Sequence, residues 1–287
     1  MTWKRVATAL VLIPVVVGLV LFASTAVVAI ATAVVTVMAL WEYFALGEAI
    51  GHRAYRVWAI VCSLLFIYSQ WLASYDSRFS DRIYFLFGRP LGERPSVEWY
   101  LFLFVFGLTM FILWTKRPLV EALPAAGITC SALLLVAFPL SFAVTLHGLP
   151  RIGPRLLLFA LVITWAGDTA AYFVGRAMGT HSSAPHISPK KTWEGSVGSM
   201  VGSLVVAWAF HYCNLIPIGH LVAMTVIGNV AGQMGDLLES AYKRSAGVKD
   251  SGGLLPGHGG VLDRIDALIL CIPVIWYYLV LVNPGTN

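Results

Sequence analysis

The chain has 287 residues, of which 59% are hydrophobic and 11% charged, with a formal net charge of +5 and a mean hydropathy of +0.81. This composition lies outside the range of an ordinary soluble domain and is typical of a protein embedded in a bilayer. The modest positive charge is explained by basic residues beside anionic lipid, so nucleic-acid binding is not predicted.

Apolar segments long enough to cross the hydrocarbon as helices, about 20 residues each, recur along the chain. They predict an all-α, polytopic transmembrane protein with about nine spans. The predicted spans lie near residues 6–22, 25–46, 57–73, 98–114, 120–145, 156–176, 193–212, 218–242 and 261–282. Apolarity continues almost unbroken to Leu46, far beyond the core of a signal peptide, which favours two retained spans at the start.

The distribution of basic residues predicts the orientation of these spans. With the amino terminus in the cytoplasm, twelve loop lysines and arginines face inward and six face outward, and every lysine lies inside. This bias favours a cytoplasmic amino terminus in an integral protein of the cytoplasmic membrane. It also predicts that the polar loops after Gly179 and after Tyr242 lie together on the cytoplasmic face.

The two halves of the chain differ in where their polar residues fall. Up to about Leu149 these residues lie mostly in loops, whereas beyond Thr164 they appear inside predicted spans, where they are costly unless functional. These intramembrane polar residues are Asp168, Asn229, Gln233, Asp236 and Glu239. We therefore divide the chain into an amino-terminal transmembrane scaffold, 1–150, and a carboxyl-terminal catalytic region, 151–287.

Polar residues in the eighth predicted span recur at helical spacing and share one face. They are Asn229, Gln233, Asp236, Ser240 and Lys243. This pattern predicts a face that lines a polar cavity, which Asp168 would also meet, although Asn229 and Gln233 fit interhelical hydrogen bonding equally well. Interleaved glycines predict close approach by a neighbouring helix.

Four carboxylates cluster at the cytoplasmic ends of the last spans. Asp236 and Glu239 are three residues apart, as are Asp263 and Asp266, so each pair points in one direction. Hard oxygen ligands without cysteine or paired histidine suit Mg²⁺ or Mn²⁺. The alternative for the second pair is stabilisation of a helix amino terminus.

A glycine-rich loop, Ser251–Gly260, adjoins these acids and can turn several backbone N–H groups toward one anion. His258 within it would either contact phosphate or shape the turn. The basic residues expected to contact phosphate on this face are Lys190, Lys191, Lys243, Arg244, Lys249 and Arg264. Acids facing bases in this way predict a site for a metal-bound nucleotide.

The segment SAYKRSAGVKDSGGLLPGHGGVLDRID, residues 240–266, resembles the signature of the phosphatidate cytidylyltransferases, also called CDP-diacylglycerol synthases. The segment GDTAAYFVGRAMGTHSSAPHISPKKTWEG, residues 167–195, is similar to that family as well. Together they cover about the last 120 residues, and the longer signature is highly specific. Tyr242 and Gly253 depart from the usual residue types, but neither departure removes a charged group.

This resemblance implies an integral membrane enzyme of bacterial type that converts CTP and phosphatidate into CDP-diacylglycerol and pyrophosphate at the cytoplasmic face. It implies dependence on Mg²⁺, a contribution from a monovalent cation such as K⁺, and compatibility with a homodimer. By motif match, Asp236, Asp263 and Asp266 would be the metal carboxylates. Lys243, Arg244 and Lys249 would contact phosphate, with Lys249 part of the catalytic set.

A cation or phosphate transporter lined by Asp168 and Asp236 is the alternative function. It predicts internal repeats and polar residues in both halves of the chain. The intramembrane polar residues are confined to one half, which favours the transferase.

Overall fold

The computed structural model describes residues 2–74, 85–86, 89–90, 97–213, 216–254 and 259–282. This part of the chain consists of nine long helices and two short antiparallel ribbons. The helices are α1 (Thr2–Phe22), α2 (Thr25–Ala49), α3 (Arg56–Ser74), α4 (Val97–Trp114), α5 (Leu119–His147), α6 (Gly153–Met178), α7 (Trp193–Cys213), α8 (Ile218–Ser245) and α9 (Leu262–Val282). The strands are β1 (Phe85–Leu86), β2 (Arg89–Pro90), β3 (Ser182–Ala184) and β4 (Ser188–Thr192).

The predicted all-α polytopic architecture is confirmed, and each predicted span overlaps one helix. Within the described residues, seven helices are long and apolar enough to cross a membrane. They are α2, α3, α4, α5, α6, α8 and α9. In α1, the part whose side chains are described is the apolar segment Leu10–Phe22. Glycine and serine residues lower the hydropathy of α7, so the total of nine membrane crossings stays a prediction. The cytoplasmic position of the amino terminus stays a prediction as well.

Helix α5 changes its hydrogen-bonding pattern in the middle. Leu133–Ala137 forms a π-helical segment that immediately precedes Phe138–His147. Pro139 has no backbone N–H, so a regular helix would leave one carbonyl of the preceding turn without its usual donor. The wider turn absorbs this break, and Leu133 and Ala137 remain fully buried within it.

Among the described residues, the buried core contains two large clusters and a small third one, and α9 contributes to both large clusters. The first packs α2, α3 and α5 around residues such as Phe66 and includes Ile269 of α9. The second packs α5, α6 and α8 around residues such as Ile163 and includes Ile272 of α9. Both clusters thus contain residues from each side of residue 150, and the division at that point stays a prediction.

Helix α8 positions most of the candidate site. Its 28 residues span about 42 Å, more than the roughly 30 Å of hydrocarbon, so its last turns extend toward the interface. The predicted close approach through glycines is confirmed, because a Cβ at Gly235 would collide with the Asp266 carbonyl oxygen of α9. This contact brings the acids of α8 and α9 together.

Candidate active site

Lys243 joins the last turns of α8 to the first turn of α9. Its Nζ lies 2.6 Å from Asp263 Oδ1 and also forms an ion pair with Glu239 Oε2. The side chains of Glu239 and Asp263 are only 4% and 10% exposed. Because a buried charge without a partner is expensive, this lysine holds two acids from two helices in place.

The second oxygen of Asp263 organises the glycine-rich loop. Asp263 Oδ2 accepts hydrogen bonds from Ser251 N at 3.0 Å, Ser251 Oγ at 3.0 Å and Gly260 N at 2.9 Å. Gly259 has a φ of +81°, a conformation that glycine adopts without strain. Asp263 therefore serves as the anchor of both ends of the loop.

Glu42 of α2 is a functional candidate that the sequence analysis missed. Its carboxylate is 3% exposed and accepts hydrogen bonds from Val261 N at 3.0 Å, Leu262 N at 2.8 Å and Ser251 Oγ at 3.0 Å. A Cβ at either Gly252 or Gly260 would collide with this carboxylate. The sequence signal that could have identified Glu42 is the presence of an acid inside an apolar span of the amino-terminal half.

The amides of this loop differ from the expectation of a free anion cradle. In the described part of the loop, the N–H groups of Ser251, Gly260, Val261 and Leu262 donate to protein carboxylates rather than facing an empty site. The glycines are needed because the backbone must approach Glu42 closely. Residues 255–258, including His258, lie outside the described residues.

The acids on the other side of Lys243 form a cluster drawn from three helices. Asp266 interacts electrostatically with Asp236, Glu239 and Asp168, and its Oδ1 accepts a hydrogen bond of 2.7 Å from Ala267 N. Asp168 also interacts with Lys191. Like-charged groups packed together inside apolar helices are stabilised by a nearby cation or by protonation of one of the acids.

The open side of this cluster faces α6 and the β3–β4 ribbon. Asp168 is exposed, and the side chain of Asp236 is 34% exposed, where it pairs with Lys191 Nζ at 2.6 Å. On the opposite side, Glu239 and Asp266 border a cavity of only about 10 Å³ beside Tyr43. The acids are therefore open to solvent on the Asp168 and Asp236 side.

The donor chemistry of the cluster fits a hard divalent cation, although the acids do not converge on one point. Among the described residues, no group of three Asp, Glu, His or Cys side chains is arranged to hold a metal ion. Glu239 Oε1 is nevertheless buried without a hydrogen-bond partner. Lys191 and Lys243 neutralise carboxylates that a divalent cation would otherwise bind.

The polar segment before α7 folds into the β3–β4 ribbon rather than an irregular loop. His181 Nδ1 lies 2.6 Å from Glu194 Oε1, and Trp193 N donates to the His181 carbonyl oxygen at 2.9 Å, which closes its base. Arg244 Nε donates to the Ile187 carbonyl oxygen at 3.3 Å. The two polar segments thus lie at the same end of the bundle, as predicted.

The remaining basic candidates lie around this cluster with more exposed side chains. Lys190, Lys249 and Arg264 are exposed, and the charge of Arg264 interacts with that of Asp168. Arg244 is also exposed, and its NH1 donates to the Val248 carbonyl oxygen at 3.1 Å. These basic residues lie around the acids with their side chains largely exposed, whereas Lys243 is nearly buried between Glu239 and Asp263.

The amide residues of α8 form interhelical hydrogen bonds, which is the alternative that the sequence left open for Asn229 and Gln233. Asn229 Nδ2 donates to Ser199 Oγ and Ser203 Oγ, both at 2.9 Å. Gln233 Nε2 donates to Asn229 Oδ1 at 2.7 Å and is 3.4 Å from the Ser196 carbonyl oxygen. These residues bind α8 to α7, so the polar site begins at Asp236.

A family model described as the cytidylyltransferase family matches residues 3–282 of the chain. A Haemophilus influenzae protein named phosphatidate cytidylyltransferase is 40% identical over 171 residues, covering 58% of this chain and 59% of the relative. A Bacillus subtilis protein of the same name is 39% identical over 157 residues, covering 54% and 58% respectively. One from Staphylococcus saprophyticus is 47% identical over 126 residues, covering 43% and 48%. The chain thus spans about half to three fifths of the length of these curated relatives.

Proposed function

The chain belongs to the cytidylyltransferase family, and from this we propose that it is a phosphatidate cytidylyltransferase. The reaction joins CTP to phosphatidate and yields CDP-diacylglycerol and pyrophosphate, a step of phospholipid biosynthesis. The observation that carries this proposal is the clustering of acids from α6, α8 and α9 around Lys191 and Lys243 at one end of the helix bundle.

The proposed reaction requires mainly that the two substrates are positioned and that their negative charge is neutralised. A phosphomonoester has its second pKa near 6, so phosphatidate is mostly dianionic at neutral pH and needs no strong general base. A phosphate oxygen of the lipid attacks the α-phosphorus of CTP, the bond between the α- and β-phosphates breaks, and pyrophosphate leaves with its electron pair. Two anions must meet in line, so the protein's basic groups have to offset their repulsion.

The basic residues are placed for this role. Lys191 and Lys243 hold the edges of the acidic cluster, whereas Lys190, Arg244, Lys249 and Arg264 surround it with exposed side chains. Phosphate groups of the substrates would compete with the carboxylates for the two paired lysines. His258 stays a proposed phosphate contact, and Asp168 a substrate-side residue.

Mg²⁺ is proposed as the cofactor, with Mn²⁺ as a substitute and K⁺ as a monovalent partner. The proposed metal ligands are Asp236, Asp263, Asp266 and Glu239. The bound cation would neutralise phosphate charge next to these acids. The carboxylate excess and the buried, unpaired Glu239 Oε1 support this assignment, because oxygen ligands suit such cations.

The proposed location is the cytoplasmic membrane, with the amino terminus and the active site on the cytoplasmic face. The inward bias of basic residues supports this orientation. Membrane lipid and the two substrates are the proposed partners. The proposal also includes a homodimer, which is based only on the resemblance to the family.

The decisive experiment uses the purified chain in lipid nanodiscs that contain phosphatidate, supplied with CTP and Mg²⁺. We expect equimolar pyrophosphate and CDP-diacylglycerol, and no turnover when phosphatidate is omitted or the metal is chelated. Pyrophosphate without the liponucleotide would assign a different acceptor. Ion flux across proteoliposomes with no CTP consumption would replace the proposal with the transporter lined by Asp168 and Asp236.

A further inference from the structure

A cavity of about 740 Å³ lies between α2, α3 and α4, away from the candidate active site. Its volume is within the range of sites that hold small molecules. Glu48, at the end of α2, borders this cavity, whereas Glu42 of the same helix binds the glycine-rich loop. The six residues between them correspond to about 9 Å along the helix axis, so the two sites lie at the same end of α2.

The polar lining of the cavity carries an excess of positive charge. Three arginines, Arg53, Arg56 and Arg117, border it together with a single acid, Glu48. Arg56 NH2 pairs closely with Glu48 Oε2 at 2.6 Å, whereas Arg53 Nε is 3.8 Å from Glu48 Oε1 and its side chain is 76% exposed. One carboxylate cannot neutralise three guanidinium groups, so the lining favours an anion.

Aromatic contacts hold two of the three arginines, Arg56 and Arg117, beside the cavity. The Arg117 guanidinium lies 4.8 Å from the Tyr55 ring centroid, and its NH1 donates to the Arg53 carbonyl oxygen at 2.6 Å. Arg56 lies 5.7 Å from the Trp41 ring centroid. Each guanidinium has five N–H donors in a fixed plane, so donors remain for a ligand beyond these contacts.

The rest of the lining is apolar and reaches the lipid-facing surface. Trp58, Phe111 and Trp114 contribute to the wall, and Trp114 is 75% exposed. Trp58 Nε1 donates to the Phe104 carbonyl oxygen at 3.0 Å, which fixes its ring between α3 and α4. Only 11% of the apolar helix α4 is buried against the rest of the protein. This side of the cavity therefore opens toward the bilayer.

We propose that this cavity is a binding site for an anionic phospholipid, separate from the site of catalysis. The headgroup phosphate lies against Arg53 and Arg117, and the acyl chains follow Trp58, Phe111 and Trp114 into the bilayer. This arrangement matches each end of the ligand to the lining, since arginine forks bind phosphate and aromatic walls bind alkyl chains. Arginines that only fixed topology would not need an apolar groove beside them.

The test measures lipid binding by the full chain without CTP, so its result does not depend on the proposed reaction. Purified protein is titrated in nanodiscs with photoactivatable phosphatidate, phosphatidylglycerol or zwitterionic phosphatidylcholine, and cross-linked peptides are mapped by mass spectrometry. We expect the two anionic lipids to label segments 53–58 and 110–117, with phosphatidylcholine labelling them much less. The two anionic arms distinguish a phosphomonoester from a phosphodiester headgroup.

The double variant Arg53→Gln/Arg117→Gln removes two cations and keeps Arg56, which pairs with Glu48. We expect its apparent Kd for the anionic lipids to rise at least about tenfold. Lys116→Gln is the matched control, because Lys116 is exposed and adjacent in the chain but does not line the cavity. Unchanged thermal unfolding confirms that both variants fold.

Either of two results would overturn the proposal. The first is labelling of these segments that is equal for anionic and zwitterionic lipids. The second is an apparent Kd that changes equally in the double variant and in Lys116→Gln. Should the double variant unfold at a lower temperature, Arg117→Lys, which keeps the charge and loses the fork, is compared with Arg117→Gln for the same loss of binding.

Discussion

Replacing Glu42 with alanine tests whether a buried acid of α2 holds the glycine-rich loop in place. In the intact protein its carboxylate accepts hydrogen bonds from Val261 N, Leu262 N and Ser251 Oγ. The substitution leaves two backbone donors without an acceptor, at about 1–3 kcal/mol each. The ordered loop is therefore destabilised by about 2–6 kcal/mol, which makes local opening at least roughly 30-fold more frequent.

Hydrogen–deuterium exchange measures this opening directly, because amides exchange when a segment opens locally. We expect the peptide that contains Val261 and Leu262 to exchange at least about 30-fold faster in Glu42→Ala. Pyrophosphate release from CTP should fall in parallel, because the loop that binds Asp263 is then ordered for a smaller fraction of the time. Glu48→Ala is the control, since Glu48 is an acid of the same helix that pairs with Arg56 instead. Wild-type exchange and turnover in Glu42→Ala would refute the reasoning.

Three further predictions concern the acids and amides of α8 and α9. Asp263→Asn should abolish pyrophosphate release while the protein still inserts and elutes normally; near-normal turnover of the purified variant would remove the metal role from Asp263. Lys243→Met should lower the free energy of unfolding by about 3–5 kcal/mol, because Glu239 loses its buried partner; an unchanged melting temperature in detergent would contradict this. Asn229→Leu should cost about 1–2 kcal/mol through its two serine partners yet preserve turnover, so lost activity at normal stability would place Asn229 in the site.

Hydropathy and spacing were sufficient to predict the helices and much of the candidate site. The apolar segments predicted each helix because a bilayer imposes one length and one hydrogen-bonding solution. The spacing of Asp236 and Glu239, and of Asp263 and Asp266, predicts that each pair points in one direction. In the structure Asp266 lies near Asp236 and Glu239, and Lys243 joins Asp263 to Glu239. Length and spacing are local properties of single helices, which periodicity reports well.

The errors concern what lies opposite a residue, which periodicity does not report. Asn229 and Asp236 share one helix face, yet α7 offers serine hydroxyls to the first and the β3–β4 ribbon offers Lys191 to the second. Glu42 was overlooked for the same reason, since an isolated acid in an apolar span gives no indication of its partner. The β3–β4 ribbon was not predicted, because its two strands are only three and five residues long and pair with each other.

The contacts of Glu42 also impose an order on how the protein matures. Its three donors lie 209, 219 and 220 residues further along the chain. At about 5–20 residues per second, a ribosome needs roughly 10–40 s to travel from this acid to the first of those donors. A nascent polypeptide released before codon 251 would carry the acid without any of these donors.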